Sequence, residues 1–253
     1  MLRRAFALLG LAVAVLAACA TAKKNQPMAT LRHPAAPERA DTLVVLLPGA
    51  GDSATTYDRE GFIAAAREAG SAVDLVAVDA HAGYYFGRTL TDRLWEDVLA
   101  PARAEGYRQI WLVGISMGGL GALLTAQRHA DAIDGVVLLA PYLGKRRTIE
   151  QIAAAGARAW EPAPEAGSYD YELWRWLKGY QDPGAARPAL YLGYGTEDRG
   201  AGAHALLAEL LPPEQTFTAP GGHDWPVWRP LWREILSSLA ASSTWPPAPE
   251  TPA

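Results

Sequence analysis

Apolar residues are concentrated in short runs, separated by longer stretches in which apolar and polar positions mix with a helical period. Six runs read as strands: Thr42 to Leu47, Val73 to Val78, Gln109 to Val113, Gly135 to Ala140, Ala189 to Tyr194 and Gln215 to Ala219. Each is rich in valine, leucine or isoleucine, or is bounded by glycine and proline. Helices are expected over Tyr57 to Ala69, ended by Gly70; over Thr91 to Ala104, with Pro101 as an irregularity; and over Gly119 to His129. Two more fit Ala203 to Leu211, stopped by Pro212, and Val227 to Ala241. This alternation predicts an α/β class with a mostly parallel six-stranded sheet and helices on both faces. Right-handed crossovers then put all six carboxyl ends on one edge.

Between the fourth and fifth strands, residues Tyr142 to Pro188 form an insertion, either a cap over a site or a surface excursion. Two helices are expected in it, Thr148 to Ala159 and Asp170 to Lys178, separated by Glu161-Pro162-Ala163-Pro164. Its aromatics Tyr169, Tyr171, Trp174, Trp176 and Tyr180 are expected mainly to pack the insertion onto the body, with some left to line an acyl pocket.

The ends of the chain differ from the middle. Arg3 and Arg4 precede an apolar run from Ala5 to Ala18, closed by Leu16-Ala17-Ala18-Cys19, which is the pattern of an export signal over residues 1–18. Leu-Ala-Ala-Cys resembles a bacterial lipobox, which implies a lipid group on Cys19 and a membrane as partner. A plain signal peptide with a chance cysteine and an uncleaved anchor helix are the alternatives. Ala20, in place of aspartate, resembles the sorting pattern for the outer membrane of a Gram-negative host, so the expected location is the cell envelope. Residues 19–40 contain Lys23, Lys24, Pro27, Pro34 and Pro37 without apolar periodicity and read as a flexible tether. Residues 242–253, with Pro246, Pro247, Pro249 and Pro252, read as a disordered tail, leaving 41–241 as the folded domain.

Composition narrows the function. The 253 residues are 50% hydrophobic and 20% charged, enough apolar content for one sizeable core. Net charge is -4, and no basic stretch exceeds Lys145-Arg146-Arg147, which argues against nucleic acid as a partner. Cys19 is the single cysteine, so the domain has no internal disulfide, thiol nucleophile or cysteine-based metal site. No His/Asp/Glu spacing resembles a metal site, and no cofactor is expected.

Gly114-Ile115-Ser116-Met117-Gly118 stands between the strand at Gln109 to Val113 and the helix that follows. A sharp strand-to-helix turn tolerates no bulk two residues before or after its apex, so glycine at both places points to Ser116 as a nucleophile raised out of the sheet. A serine hydroxyl needs a base, and the base needs an orienting acid. His223 lies in Pro220-Gly221-Gly222-His223-Asp224-Trp225 after the last strand, and Asp198 lies in Gly193-Tyr194-Gly195-Thr196-Glu197-Asp198 after the fifth. Glu197 and Asp224 are the competing carboxylates. Asp224, adjacent to His223, is expected to brace the loop.

Ser, Asp and His in this order and context resemble the α/β-hydrolase superfamily over essentially the whole domain. Gly221-Gly222-His223-Asp224-Trp225-Pro226-Val227-Trp228 is similar to the histidine loop of esterase D-like esterases. The resemblance implies a minimal sheet with the first strand between the second and third, which places Ser116 at the switch of strand order. It also implies an oxyanion hole from the N–H groups of Met117 and Ala50, with Gly51 next in line, the loop Leu47-Pro48-Gly49-Ala50-Gly51-Asp52 carrying proline where the family often has histidine.

His33 falls in the tether, His129 near a helix end and His204 in a surface-like helix. His81, after the second strand, is a candidate for the pocket, as are Tyr142 and Trp225. The expected activity is cofactor-independent hydrolysis of a small-molecule or acyl ester through an acyl-serine intermediate. Acyl transfer, thioester hydrolysis and a non-catalytic envelope-binding lipoprotein are the alternatives.

Overall fold

A computed structural model describes residues 26–36, 39–161, 168–182 and 184–242. The export signal, Cys19, the first part of the expected tether, the breaker prolines Pro162 and Pro164, and all of the expected tail but Ser242 lie outside the described residues.

Among the described residues seven strands form one sheet: β1 (Thr30–His33), β2 (Thr42–Leu47), β3 (Val73–Val78), β4 (Gln109–Ile115), β5 (Gly135–Leu139), β6 (Ala189–Gly195) and β7 (Thr216–Ala219), in the order β1-β3-β2-β4-β5-β6-β7. Six are parallel, with β2 between β3 and β4. The seventh, β1, corrects both the six-strand count and the start of the domain at residue 41. It pairs antiparallel with β3, from Thr30 opposite Val78 to His33 opposite Leu75, inside the stretch that reads as tether. A four-residue edge strand with one neighbour shows no continuous apolar run, and side-chain anchors hold it instead. The Met28 N–H donates to Asp97 at 2.7 Å. The Ala35 and Ala40 N–H groups donate to the buried carboxylate of Asp74 at 2.8 and 3.1 Å, which also accepts from Tyr107 Oη at 2.7 Å. His33 belongs to this strand, with Nε2 3.5 Å from Asp58.

Along the central strands, alternate side chains enter two separate cores. Val45, Leu47, Val76, Val78, Ile110 and Leu112 face one, and Val44, Leu46, Leu75, Ala77, Trp111 and Val113 face the other. The runs are therefore apolar at every position, as a sheet covered on both faces demands.

The connections follow the expected helices with local changes. The helix expected over Tyr57 to Ala69 is split into α1 (Thr56–Arg59) and α2 (Phe62–Glu68), because Gly61 takes a left-handed conformation at φ 75°. After β3 come α3 (Ala82–Gly87) and α4 (Leu90–Leu94), then a π-helical turn at Trp95–Leu99 and α5 (Ala100–Glu105). Pro101 has no N–H for the carbonyl of Asp97 and its ring crowds that carbonyl, so the wider turn accommodates the irregularity expected there. The remaining helices are α6 (Met117–Arg128), α7 (Arg146–Ala155) and α8 (Tyr169–Lys178) in the insertion, α9 (Ala201–Ala208), and α10 (Trp225–Ala240).

The insertion's aromatics Trp160, Tyr171 and Trp174 join the core on one face of the sheet, and others brace the insertion internally. Trp174 is fully buried and its indole N–H donates to the Leu143 carbonyl at 2.8 Å. Trp176 and Tyr180 pack edge to face, with the Arg187 guanidinium about 5.5 Å from both rings. Buried Asp170 ties α8 to α7 by accepting from Thr148 Oγ1 at 2.7 Å, the Lys145 N–H at 3.2 Å and Ser168. Burial pushes this carboxyl up, but those hydrogen bonds outweigh it and hold the group below the usual carboxylate range.

Candidate active site

The turn between β4 and α6 is as tight as its glycines suggest. A Cβ on Gly114 would lie 2.4 Å from the Gly118 carbonyl oxygen, one on Gly118 would lie 2.0 Å from the Leu47 carbonyl oxygen, and one on Gly119 would lie 2.7 Å from Pro141. Ser116 at the apex has φ 52° and ψ -113°, a sparsely populated conformation that costs roughly 1–3 kcal/mol and persists where surrounding contacts over-determine it. Its N–H donates to the Leu139 carbonyl at 3.0 Å, and its carbonyl accepts from the N–H groups of Gly119 at 3.0 Å and Tyr142 at 2.9 Å. Gly118→Ala weighs a helix-propensity gain of about 1 kcal/mol against a main-chain clash whose overpacking penalty is roughly 1–3 kcal/mol or more. We expect the clash to win, lowering the thermal midpoint by several degrees; an unchanged midpoint in a melting experiment would contradict it.

The side chains of Ser116, His223 and Asp198 lie on three different strand ends and form one hydrogen-bonded chain. His223 Nε2 is 2.9 Å from Ser116 Oγ, and Nδ1 is 2.6 Å from Asp198 Oδ2. The other carboxylate oxygen of Asp198 accepts from the Gly200 N–H at 2.7 Å. Its side chain is fully shielded from solvent, so these two donors replace water for the buried charge. A proton on Nδ1 facing the carboxylate leaves Nε2 as the acceptor for the serine hydroxyl. The two loops that meet here are pressed together: a Cβ on Gly195 would fall 2.3 Å from the Gly221 carbonyl oxygen, and the Glu197 N–H donates to that same oxygen at 2.9 Å. The His223 ring packs edge to face with Trp228, with centroids 5.0 Å apart and planes at 90°.

The competing carboxylates are elsewhere. Glu197 is exposed, and Asp224 is exposed at the start of α10, where its carbonyl accepts from the N–H groups of Val227 and Trp228. Its side chain makes no capping hydrogen bond, so any bracing is done by its backbone. The loop after β2 abuts the serine: a Cβ on Gly49 would lie 3.6 Å from Ser116 Cβ. Ala50 and Gly51 form the turn closed by Asp52 N–H to the Gly49 carbonyl at 3.2 Å, and Gly51 is at φ 89°. Across from it, Met117 opens α6 with an N–H that has no acceptor within the helix.

Beside the elbow an aromatic-walled groove of about 580 Å³ runs along α6. Of the three residues expected to line a pocket, Tyr142 lines this groove, and His81 and Trp225 do not. His81 instead caps α3, its Nδ1 accepting from the Gly83 N–H at 3.1 Å and its ring stacked on Tyr84. Trp225, at the first position of α10, packs partly buried against the core, in T-shaped contacts with Tyr57, Phe62 and Trp228. The sequence pattern missed Tyr84, Phe86 and Leu124, which converge with Tyr142 from separate segments. His204 is a further correction: it is buried rather than on a surface-like helix, with Nε2 3.0 Å from the Pro141 carbonyl, and burial lowers its pKa. Its spacing from Leu207 and Leu211, three and seven residues on, was the available sign of a buried face.

A parallel sheet with serine on the strand-to-helix turn and acid and histidine on later strand ends is the architecture of α/β-hydrolases. The sequence profile of the Alpha/beta hydrolase family matches residues 44–253, and the chain belongs to that family. Among curated proteins no sequence matches it. Among solved structures it is similar to an S-formylglutathione hydrolase from Staphylococcus aureus, with TM-score 0.57 and 16% identity over 83% of this chain and 95% of that one. It is also similar to Est1E of Butyrivibrio proteoclasticus, solved with ferulic acid, with TM-score 0.54 and 19% identity over 85% and 94% of the two chains. A third is a monoacylglycerol lipase of Paleococcus ferrophilus, with TM-score 0.52 and 15% identity over 84% and 99%.

Proposed function

We propose that the protein is a serine hydrolase that cleaves carboxylic esters through an acyl-serine intermediate. The observation that carries this is the continuous chain from Asp198 through His223 to Ser116. Ser116 Oγ attacks the ester carbonyl carbon while His223 Nε2 takes its proton, and Asp198 stabilises the imidazolium that forms. The carbonyl oxygen becomes an oxyanion facing the N–H groups of Met117 and Ala50. Collapse breaks the bond to the alcohol oxygen, which leaves with the proton from Nε2. Water then attacks the acyl-serine, giving its proton to Nε2, and the acid is released as Ser116 regains its hydrogen. The similarly folded S-formylglutathione hydrolase, Est1E with ferulic acid bound, and monoacylglycerol lipase support an acyl substrate. Turnover of nitrophenyl acetate and butyrate by the full chain above the buffer rate tests the proposal, and absence of such turnover counts against it. Adding alcohol or thiol acceptors to the same assay separates hydrolysis from transfer.

We also propose that Cys19 carries the lipid that holds the enzyme at the cell envelope. Support comes from Leu16-Ala17-Ala18-Cys19 at the end of an apolar run. Metabolic labelling with a fatty-acid probe should mark the wild-type chain, and Cys19→Ser should lose the label and leave the membrane fraction. A membrane-free wild-type chain with an unmodified thiol would overturn this.

A further inference from the structure

The groove along α6 has a direction. Met117, Leu120 and Leu124 form its floor, a single stripe at helical spacing that begins next to Ser116. The small residues Gly118, Gly119 and Gly121 of the same helix are buried against Leu47, Pro141 and Tyr85 respectively, so they add no bulk beside the stripe. One wall comes from the segment around Tyr84 and Leu90, the other from Tyr142 and Tyr169. The first wall is locked in place: the Tyr85 hydroxyl is buried in the notch that Gly121 leaves, where a Cβ would stand 2.6 Å from it. At the far end the lining turns polar. There Arg128 pairs with Asp92 at 2.7 Å, and the Gln127 amide nitrogen donates to the Glu172 carbonyl at 3.0 Å.

The chemistry decides which part of an ester lies here. The leaving alcohol must sit on the His223 side, because Nε2 delivers its proton. None of the groove lining comes from the loops that carry Asp198 and His223. The groove therefore serves the other substituent of the carbonyl carbon. From Met117 to the polar end at Arg128 the groove extends about 16 Å at the helical rise, the reach of an extended chain of roughly a dozen carbons. Phe86, 81% exposed on the rim, and Tyr142 and Tyr169, both more than one-third exposed, give such a chain apolar surface to cover.

We infer that this groove is the acyl-binding site and that it selects an extended apolar acyl chain of medium length. The inference rests on the ester-hydrolase proposal above. Two substrate series with the full-length protein test it: nitrophenyl esters of increasing acyl length, and acetates of increasing alcohol length. In the first, kcat/KM should rise by roughly two- to fourfold per methylene until the groove is filled; in the second it should stay nearly flat. Leu124→Trp, which blocks the floor, should lower the ratio of dodecanoate to butyrate kcat/KM at least tenfold. Selectivity that follows the alcohol, or a ratio unmoved by Leu124→Trp, overturns the inference. Dodecanoate binding to Ser116→Ala by calorimetry gives a readout without turnover, expected to weaken at least tenfold when Leu124→Trp is added. Binding without any wild-type turnover would overturn the hydrolase proposal and keep the groove; turnover without binding or chain-length preference would do the reverse.

Discussion

Replacing Ser116 with alanine is expected to lower kcat for any ester substrate by roughly 10⁴- to 10⁶-fold while leaving the fold intact. In the proposed mechanism Oγ is the atom that forms the acyl bond, and His223 and Asp198 have nothing to activate without it. Alanine at this position keeps the strained backbone, because Cβ is already present and only the hydroxyl is removed. The measurement is steady-state hydrolysis of nitrophenyl butyrate alongside a thermal melt. A variant that retains activity within tenfold of wild type would return the serine to the status of an ordinary tight turn.

Asp198→Asn is expected to lower kcat by roughly 10²- to 10⁴-fold. In the proposed mechanism the carboxylate, 2.6 Å from Nδ1, does two things: it holds the proton there, and it balances the imidazolium as Ser116 attacks. Asparagine preserves the shape, but its amide can turn an N–H toward Nδ1, which favours the tautomer with Nε2 protonated and removes the acceptor for the serine hydroxyl. Glu197→Gln and Asp224→Asn, whose carboxyl groups lie exposed outside the chain of hydrogen bonds, should stay close to wild type in the same assay. A crippled Glu197 or Asp224 variant beside an active Asp198→Asn would show that the acid is assigned to the wrong residue.

The parts of this site that were legible in sequence are those set by local sterics and by strand order. Gly114 and Gly118 announce the elbow because the clash they avoid lies within a few residues or on the neighbouring strand end. Asp198 and His223 follow apolar runs that had to be parallel strands, so their arrival on one sheet edge could be inferred without coordinates. β1 was hidden for the opposite reason. A short edge strand with alternating exposure, Thr30 to His33, owes its place to one neighbouring strand and to anchors at Asp74 and Asp97, distant in sequence. The split at Gly61 was hidden because a lone glycine in a helical pattern is often tolerated, and only the left-handed backbone there shows the break. The groove was the least legible element. It gathers residues around 84–91 and 117–128 with Tyr142 and Tyr169, whose convergence depends on how the insertion docks; Tyr142 was foreseen, and Trp225 and His81 lie outside the groove.

Covalent labelling with a fluorophosphonate followed by peptide mass spectrometry tests the central claim most directly. An activated serine should form one adduct per chain, located on Ser116, and labelling should disappear in Ser116→Ala and slow in His223→Ala. An adduct on another residue, or undiminished labelling of Ser116→Ala, would contradict the assignment of Ser116 as the nucleophile.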